Sequence, residues 1–349
     1  MRVAVVAFVA VLALFAPGPP IEAQSSLPVS LFERYVEWLR RHTGIPGMSA
    51  AIVQDGRLAW ERGFGYQDVA GLIAATPDTP YPISDLSQTI SAALLFHRCV
   101  ERSHLEVNDQ VRRWDPNHED DGTTIAQLLS DTSPSGDFTY DITRFAGLTP
   151  VLEQCAGDIY PRLVSEEILK PLGLWSSVPG ADLDEPSSAN RNLFSPATLN
   201  RYAAVLRRKA VPYRIDNRGR PTRSEVVSKA LDASTGMVST VRDLARFEAA
   251  LDDGFLLDAG TRANAWKRVG ETPKGLGWFV HDERGEQVVW HFGLDRDAYS
   301  SLVIKVPARN LTLILLANSD GLVGPPYDLS NGSLASNLFA SAFLSLFVG

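Results

Sequence analysis

The sequence predicts an α+β fold of the α/β-sandwich type. It comprises an antiparallel sheet built from both chain ends, flanked by terminal helices, with a mainly helical region inserted between them. Three observations carry this. Paired β-rich runs sit near the start (GMSAAIVQDGRLAWERGFG) and again near the end (GLGWFVHDERGEQVVWHFG, then AYSSLVIKVPARNLTLILLANS). Helical patterning dominates the middle, and each β-rich end carries a helix on its outer side. With 349 residues, 45% of them hydrophobic, the chain suits one large domain, expected over 24–349. Its sheet region is expected over about 28–80 and 232–349, and its helical region over about 81–231.

The opening segment, MRVAVVAFVAVLALFAPGPPIEAQSS, reads as a signal peptide over 1–23. Arg2 supplies the positive start, Val3 to Ala16 the apolar stretch, and Pro17 to Pro20 break it before a small residue at Ala23. The apolar run is short for a membrane span. Removal after Ala23 would leave a periplasmic or secreted protein with no membrane anchor. LFERYVEWLRRH then reads as an amphipathic helix with Leu31, Tyr35, Trp38 and Leu39 on one side. Asp55-Gly56 between two β-rich runs is a hairpin signal, because glycine tolerates the positive φ of a tight turn.

In the middle, Leu86 to Glu101 is a long helical run, and shorter helices are expected at Thr124–Leu129, Pro150–Ala156 and Tyr160–Leu169. Thr240 with Asp243 three residues on resembles a capping box for a helix running to about Leu251. NLFASAFLSLF near the end is an apolar helix suited to lie on a sheet face.

Charge excludes some functions. A net charge of −8 with no Lys/Arg block argues against nucleic acid or an anionic membrane as partner. The six histidines (His42, His97, His104, His118, His281 and His291) show no ligand spacing, so neither a metal nor a cofactor is expected. The acidic loop around His118, NHEDDG, reads as solvated. Only Cys99 and Cys155 occur; export would permit one disulfide, and two buried free thiols are the alternative.

Taken in order, these segments resemble the serine β-lactamase and penicillin-binding-protein family, of the class C β-lactamase and esterase type. IPGMSAAIVQDGRLAWERGFGYQDV resembles the family's first hairpin and TPDTPYPISDLSQTISAALL its nucleophile helix. TIAQLLSDTSPSGDFTYD resembles the approach to the second motif, and EEILKPLGL the helix after it. STGMVSTVRDLARF, KGLGW and HFG complete the series. The resemblance implies a β-lactamase/transpeptidase-like fold. It also implies a site in which a Ser of S-x-x-K attacks a carbonyl, helped by a Tyr from Y-x-N and by K-T-G or H-x-G on a strand. Ser and Lys three apart share one helix face, so the amine can take the hydroxyl proton.

Here the first motif is degenerate. The alignment places Asp85 at the nucleophile position and Gln88 at the lysine position, and no Lys in the chain has a Ser three residues before it. An aspartate would form a labile anhydride and would set negative charge beside the oxyanion site, and an amide cannot act as base. Tyr140 is retained from the second motif, but Ile142 stands where Asn is usual. His291-Phe292-Gly293 keeps the third, with Leu294 at the position whose N–H completes the family's oxyanion hole. Gly293 has a packing reading as well, a strand edge lying close against a helix. The stretch between TSP and GDF is short for the family, which implies a differently walled cleft.

Read without the family, Asp85 and Gln88 form a capping-box-like pair, with Ser84 as an alternative cap. The expectation is therefore a family member that keeps the fold and loses the usual chemistry, and that takes cell-wall peptide, a small acyl compound or a protein partner in its cleft. The alternative is a residual hydrolase with a displaced nucleophile. Ser87 is then nearest but points well away at about 100° per residue, and Ser84 is less constrained.

Overall fold

A computed structural model describes residues 27–227 and 229–349. The expected leader at 1–23 lies outside the described residues. Seven antiparallel strands form the central sheet: β1 (Gly47–Gln54), β2 (Arg57–Asp68), β3 (Ile73–Ala74), β4 (Phe279–Glu283), β5 (Glu286–Asp295), β6 (Tyr299–Val306) and β7 (Leu311–Ala317). Their order is β3-β2-β1-β7-β6-β5-β4, so β1 and β7 close the sheet from the two ends of the chain. Met48 faces Ala317 and Gln54 faces Leu311 across that seam. The first hairpin turns at Asp55 and Gly56, both at positive φ (52° and 71°), as the Asp-Gly signal requires.

Both faces of the sheet are covered, which explains why β1 and β7 are buried almost throughout. On one face, Met48, Ala50 and Ile52 join Leu313 and Leu315 against α1 (Leu27–His42) and α5 (Leu338–Phe347). On the other, Ala51, Val53, Ile314 and Leu316 join the helical region, with α4 (Val241–Asp252) laid across it. Thr240 caps α4, accepting from the Asp243 N–H at 3.2 Å. The Asp243 side chain does not return the bond; it accepts from Ser176 N–H and the Ser177 hydroxyl instead.

Two expectations need correction. The buried stripe of α1 is Phe32, Val36 and Leu39, whereas Leu31, Tyr35 and Trp38 are 41%, 42% and 48% exposed. Phe32 wins the inward position because it meets Trp60, Phe343 and Phe347 edge-on. Second, Cys99 and Cys155 are bonded, with Cα atoms 6.1 Å apart, which overturns the free-thiol reading. The bridge ties the helical turn that continues α2 (Ser87–Leu95) to α3 (Leu148–Ala156). Closing a loop across the 56-residue separation is worth about 4 kcal/mol on the chain-entropy account.

Candidate functional site

The turn that the sequence resemblance matches to the family's nucleophile lies where α2 begins. Ser84 to Leu86 form a tight helical turn that runs into α2, and Ser84 sits at φ 51°, a left-handed conformation costly for a non-glycine residue. The strand β5 crosses directly behind it. A Cβ built at Gly293 would lie 2.1 Å from the Ile83 carbonyl oxygen and 3.0 Å from the Leu86 nitrogen. Only a glycine lets the strand come this close, which is the physical reason for that residue.

No side chain caps the turn or α2, so the capping-box expectation fails. Asp85 is 6% exposed, and its carboxylate accepts from the Tyr140 hydroxyl at 3.3 Å, with the Leu294 N–H near enough to favour its charged form. No helix N–H among the described residues is bonded to it. Gln88 is fully buried. Its Nε2 donates to the Tyr140 hydroxyl at 3.4 Å, and its Oε1 lies 3.2 Å from both Lys274 Nζ and His291 Nε2.

His291 is buried on β5 with Nδ1 against its neighbour's backbone, 2.9 Å from Phe292 N and 2.8 Å from Phe292 O. Burial and the nearby Lys274 push its pKa well below the ordinary value, so the ring is neutral. With Nδ1 accepting from the Phe292 N–H, the ring keeps its proton on Nε2 and donates to Gln88. Donors then run in one direction, from Lys274 and His291 to Gln88, on to Tyr140, and end at Asp85.

Sequence reasoning placed Asp85, Gln88, Tyr140, His291 and Leu294 in one site, and the structure brings them together. It missed Lys274 and Asp131. Lys274 Nζ is ion-paired to Asp131 with both side chains wholly inaccessible, and lies 5.3 Å from the centre of the Tyr140 ring. Asp131 follows the short helix Ile125–Leu129 at φ 53°, and Lys274 precedes β4. Burial pushes the Asp131 carboxyl up and the Lys274 amine down, each drawn back by the other's charge. The KGLGW segment, read as a landmark of order, was the available signal; nothing in its pattern points that lysine inward.

The remaining candidates divide. Ser87 turns away: its hydroxyl donates to the Ser84 carbonyl at 2.7 Å and receives the Met237 N–H at 3.4 Å. Ser84 Oγ is buried without a hydrogen-bond partner. Ile142 is 40% exposed on the cleft wall, one residue after Asp141, which caps the helix Ile142–Ala146 through the Thr143 and Arg144 N–H groups. An open cleft of about 580 Å³ lies above the network, with Asp85 at its floor, Tyr140, Ile142 and Phe292 on its walls, and Arg296 and Asp328 at its exposed rim. Among the described residues no group of three metal-ligating side chains occurs, and no helix is long and apolar enough to cross a membrane.

The Beta-lactamase family model matches residues 31–332. The chain belongs to that family. Among curated proteins it is similar to Protein flp of Staphylococcus aureus strain MW2, 22% identical over 322 residues, covering 78% of this chain and 60% of that protein. It is also similar to penicillin-binding protein 4* of Bacillus subtilis, 22% identical, covering 79% of this chain and 72% of that protein. The chain thus spans about 60% of the length of the Staphylococcus relatives. Among solved structures, the octameric penicillin-binding protein homologue from Pyrococcus abyssi has the same fold, with a TM-score of 0.67 at 20% identity over 84% of this chain and 74% of that one.

Proposed function

We propose that this β-lactamase family member binds ligands in the family's cleft without performing acyl transfer. One observation supports the reading: at the turn the alignment matches to the family's nucleophile, the structure has a buried Asp85 carboxyl hydrogen-bonded to the Tyr140 hydroxyl and close to the Leu294 N–H. A developing oxyanion beside it would meet a carboxylate. The base is missing as well, since the Gln88 amide does not titrate, and the buried Lys274 amine is held by Asp131 and by Gln88 Oε1. Cell-wall peptide or a protein partner is the occupant proposed for the cleft. The apolar leader at 1–23 and the Cys99–Cys155 disulfide support a periplasmic or secreted location.

The competing reading is a hydrolase with a displaced nucleophile. Ser87 does not serve it, because its hydroxyl is buried in backbone contacts. Ser84, with an unpartnered hydroxyl beside Asp85, is the one candidate it retains. Intact-mass analysis after exposure to a fluorescent penicillin and a fluorophosphonate decides between them, run beside the double revertant Asp85→Ser, Gln88→Lys. No adduct on the natural chain is expected. An adduct mapping to Ser84 would overturn the non-catalytic reading.

A further inference from the structure

We infer that the cleft takes a primary ammonium group, carried on a slender apolar stem, against Asp85. This inference rests on the non-catalytic reading and names the ligand class of the same site. Replacing a hydroxyl by a carboxylate inverts what the floor of the cleft can accept. Asp85 is 6% exposed and among the described residues has no cation in ion-pair contact, whereas the neighbouring Asp131 is matched by Lys274. An ionised carboxylate offers about four acceptor positions, and among the described residues its one hydrogen bond comes from the Tyr140 hydroxyl, with the Leu294 N–H nearby. The remaining acceptor capacity faces a cleft of about 580 Å³, large enough for a dipeptide-sized ligand.

The walls suit the rest of such a ligand. Tyr140 and Phe292 pack with ring centres 5.2 Å apart and line the cleft, giving aromatic surface to an alkyl stem and to the ammonium it carries. Asp141 and Asp328 add negative charge along the walls and rim, and the only cation lining the cleft is Arg296. Arg296 is exposed at the mouth, where water screens it and where it can meet a backbone carbonyl of the ligand. Lys229 is paired with Asp295 at 3.1 Å, lines a separate recess beside Ser84, and is not among the residues lining the cleft.

An incoming ammonium would also change Asp85 itself. Burial raises its pKa to about 7, against the pull of Lys229, the Tyr140 hydroxyl and the nearby Leu294 N–H. The other charged or titratable groups around it are Tyr140, Lys274, Asp295 and the neutral His291. A cation at the carboxylate favours its ionised form, so binding releases a proton below about pH 7 and tightens as pH rises.

Isothermal titration of the protein tests this with three probes of matched size: the Nα-acetyl methylamides of lysine, norleucine and glutamate. The lysine derivative is expected to bind at least tenfold more tightly than norleucine at pH 8 and to lose about tenfold in affinity at pH 6. It should release a proton at the lower pH, read from buffers of different ionisation enthalpy. Asp85→Asn, close to isosteric, should erase the lysine preference. The proton count on the unmutated chain keeps the test informative if that variant folds poorly. Equal or better binding of norleucine or glutamate, no binding of any probe, or an undiminished preference in Asp85→Asn would overturn the inference. Covalent labelling of the natural chain would instead sink the non-catalytic reading, so the two failures are told apart.

Discussion

Asp131 and Asp85 are buried carboxylates in the same network, separated by Gln88 and Tyr140, yet they differ in one respect. Asp131 has Lys274 in direct contact, whereas Asp85 is bonded only to the neutral Tyr140 hydroxyl and feels Lys229 from beyond ion-pair distance. A buried pair holds a fold together through the cost of breaking it. A buried lone carboxylate costs the fold something, and that cost persists where a ligand can offset it. The first arrangement is structural reinforcement behind the site, and the second is a group available to the cleft.

The largest test breaks the pair. Lys274→Met or Asp131→Leu alone should destabilise the fold by about 3–5 kcal/mol, because each leaves its partner's charge buried. The double variant should recover most of that loss in chemical denaturation. Equal losses in single and double variants would show that the pair matters by shape rather than charge.

Asp85→Asn should do the opposite. Its folded pKa lies above the ordinary carboxylate value, at about 7. Below about pH 4 the group is protonated folded and unfolded, and the variant gains little. Between about pH 4 and 7 the unfolded chain ionises first, so the natural protein loses stability as pH rises. At pH 8 the variant should therefore be more stable by roughly 2–4 kcal/mol, and denaturation at pH 4 and 8 reads the difference. A flat pH response would mean that solvent reaches Asp85 more freely than its burial implies.

Smaller effects sharpen the comparison. Gln88→Leu removes the bridge between the two carboxylates, leaving the Lys274 and His291 donors short of an acceptor and the Tyr140 hydroxyl short of a donor, a cost of about 1–3 kcal/mol by the same assay. Arg309→Ala, at the half-exposed pair with Glu286, should cost less than about 1 kcal/mol.

Much of this was legible in the sequence. The Asp55-Gly56 turn and the ordered β-rich runs specify a sheet closed by both chain ends, since two-residue periodicity and positive-φ turn residues are local signals. The site positions at Asp85, Gln88, Tyr140 and His291 were legible because order along the chain fixes them. What was not legible depends on contacts distant in sequence. The inward face of α1 was misjudged because Leu31, Tyr35 and Trp38 have the apolar spacing, while Phe32 has the aromatic partners. The disulfide joins residues 56 apart, and no local pattern brings them together. The capping reading of Asp85 failed because its carboxylate turns to the Tyr140 hydroxyl rather than to the helix start. Lys274 escaped notice because lysine is almost never fully buried without a partner, and its partner, Asp131, lies 143 residues away.

The left-handed turn at Ser84 has a consequence for how reversible this departure is. The backbone still bends at φ 51° before position 85, and glycine at 293 still admits the strand behind it. That bend costs about 1–2 kcal/mol in a non-glycine residue, and it belongs to the main chain rather than to the Asp85 side chain. The geometry here is therefore set by the backbone and by Gly293, independently of which side chain stands at 85. On the non-catalytic reading, a seryl hydroxyl introduced at 85 would be presented by the same bend, with new atoms at a few positions and no new architecture.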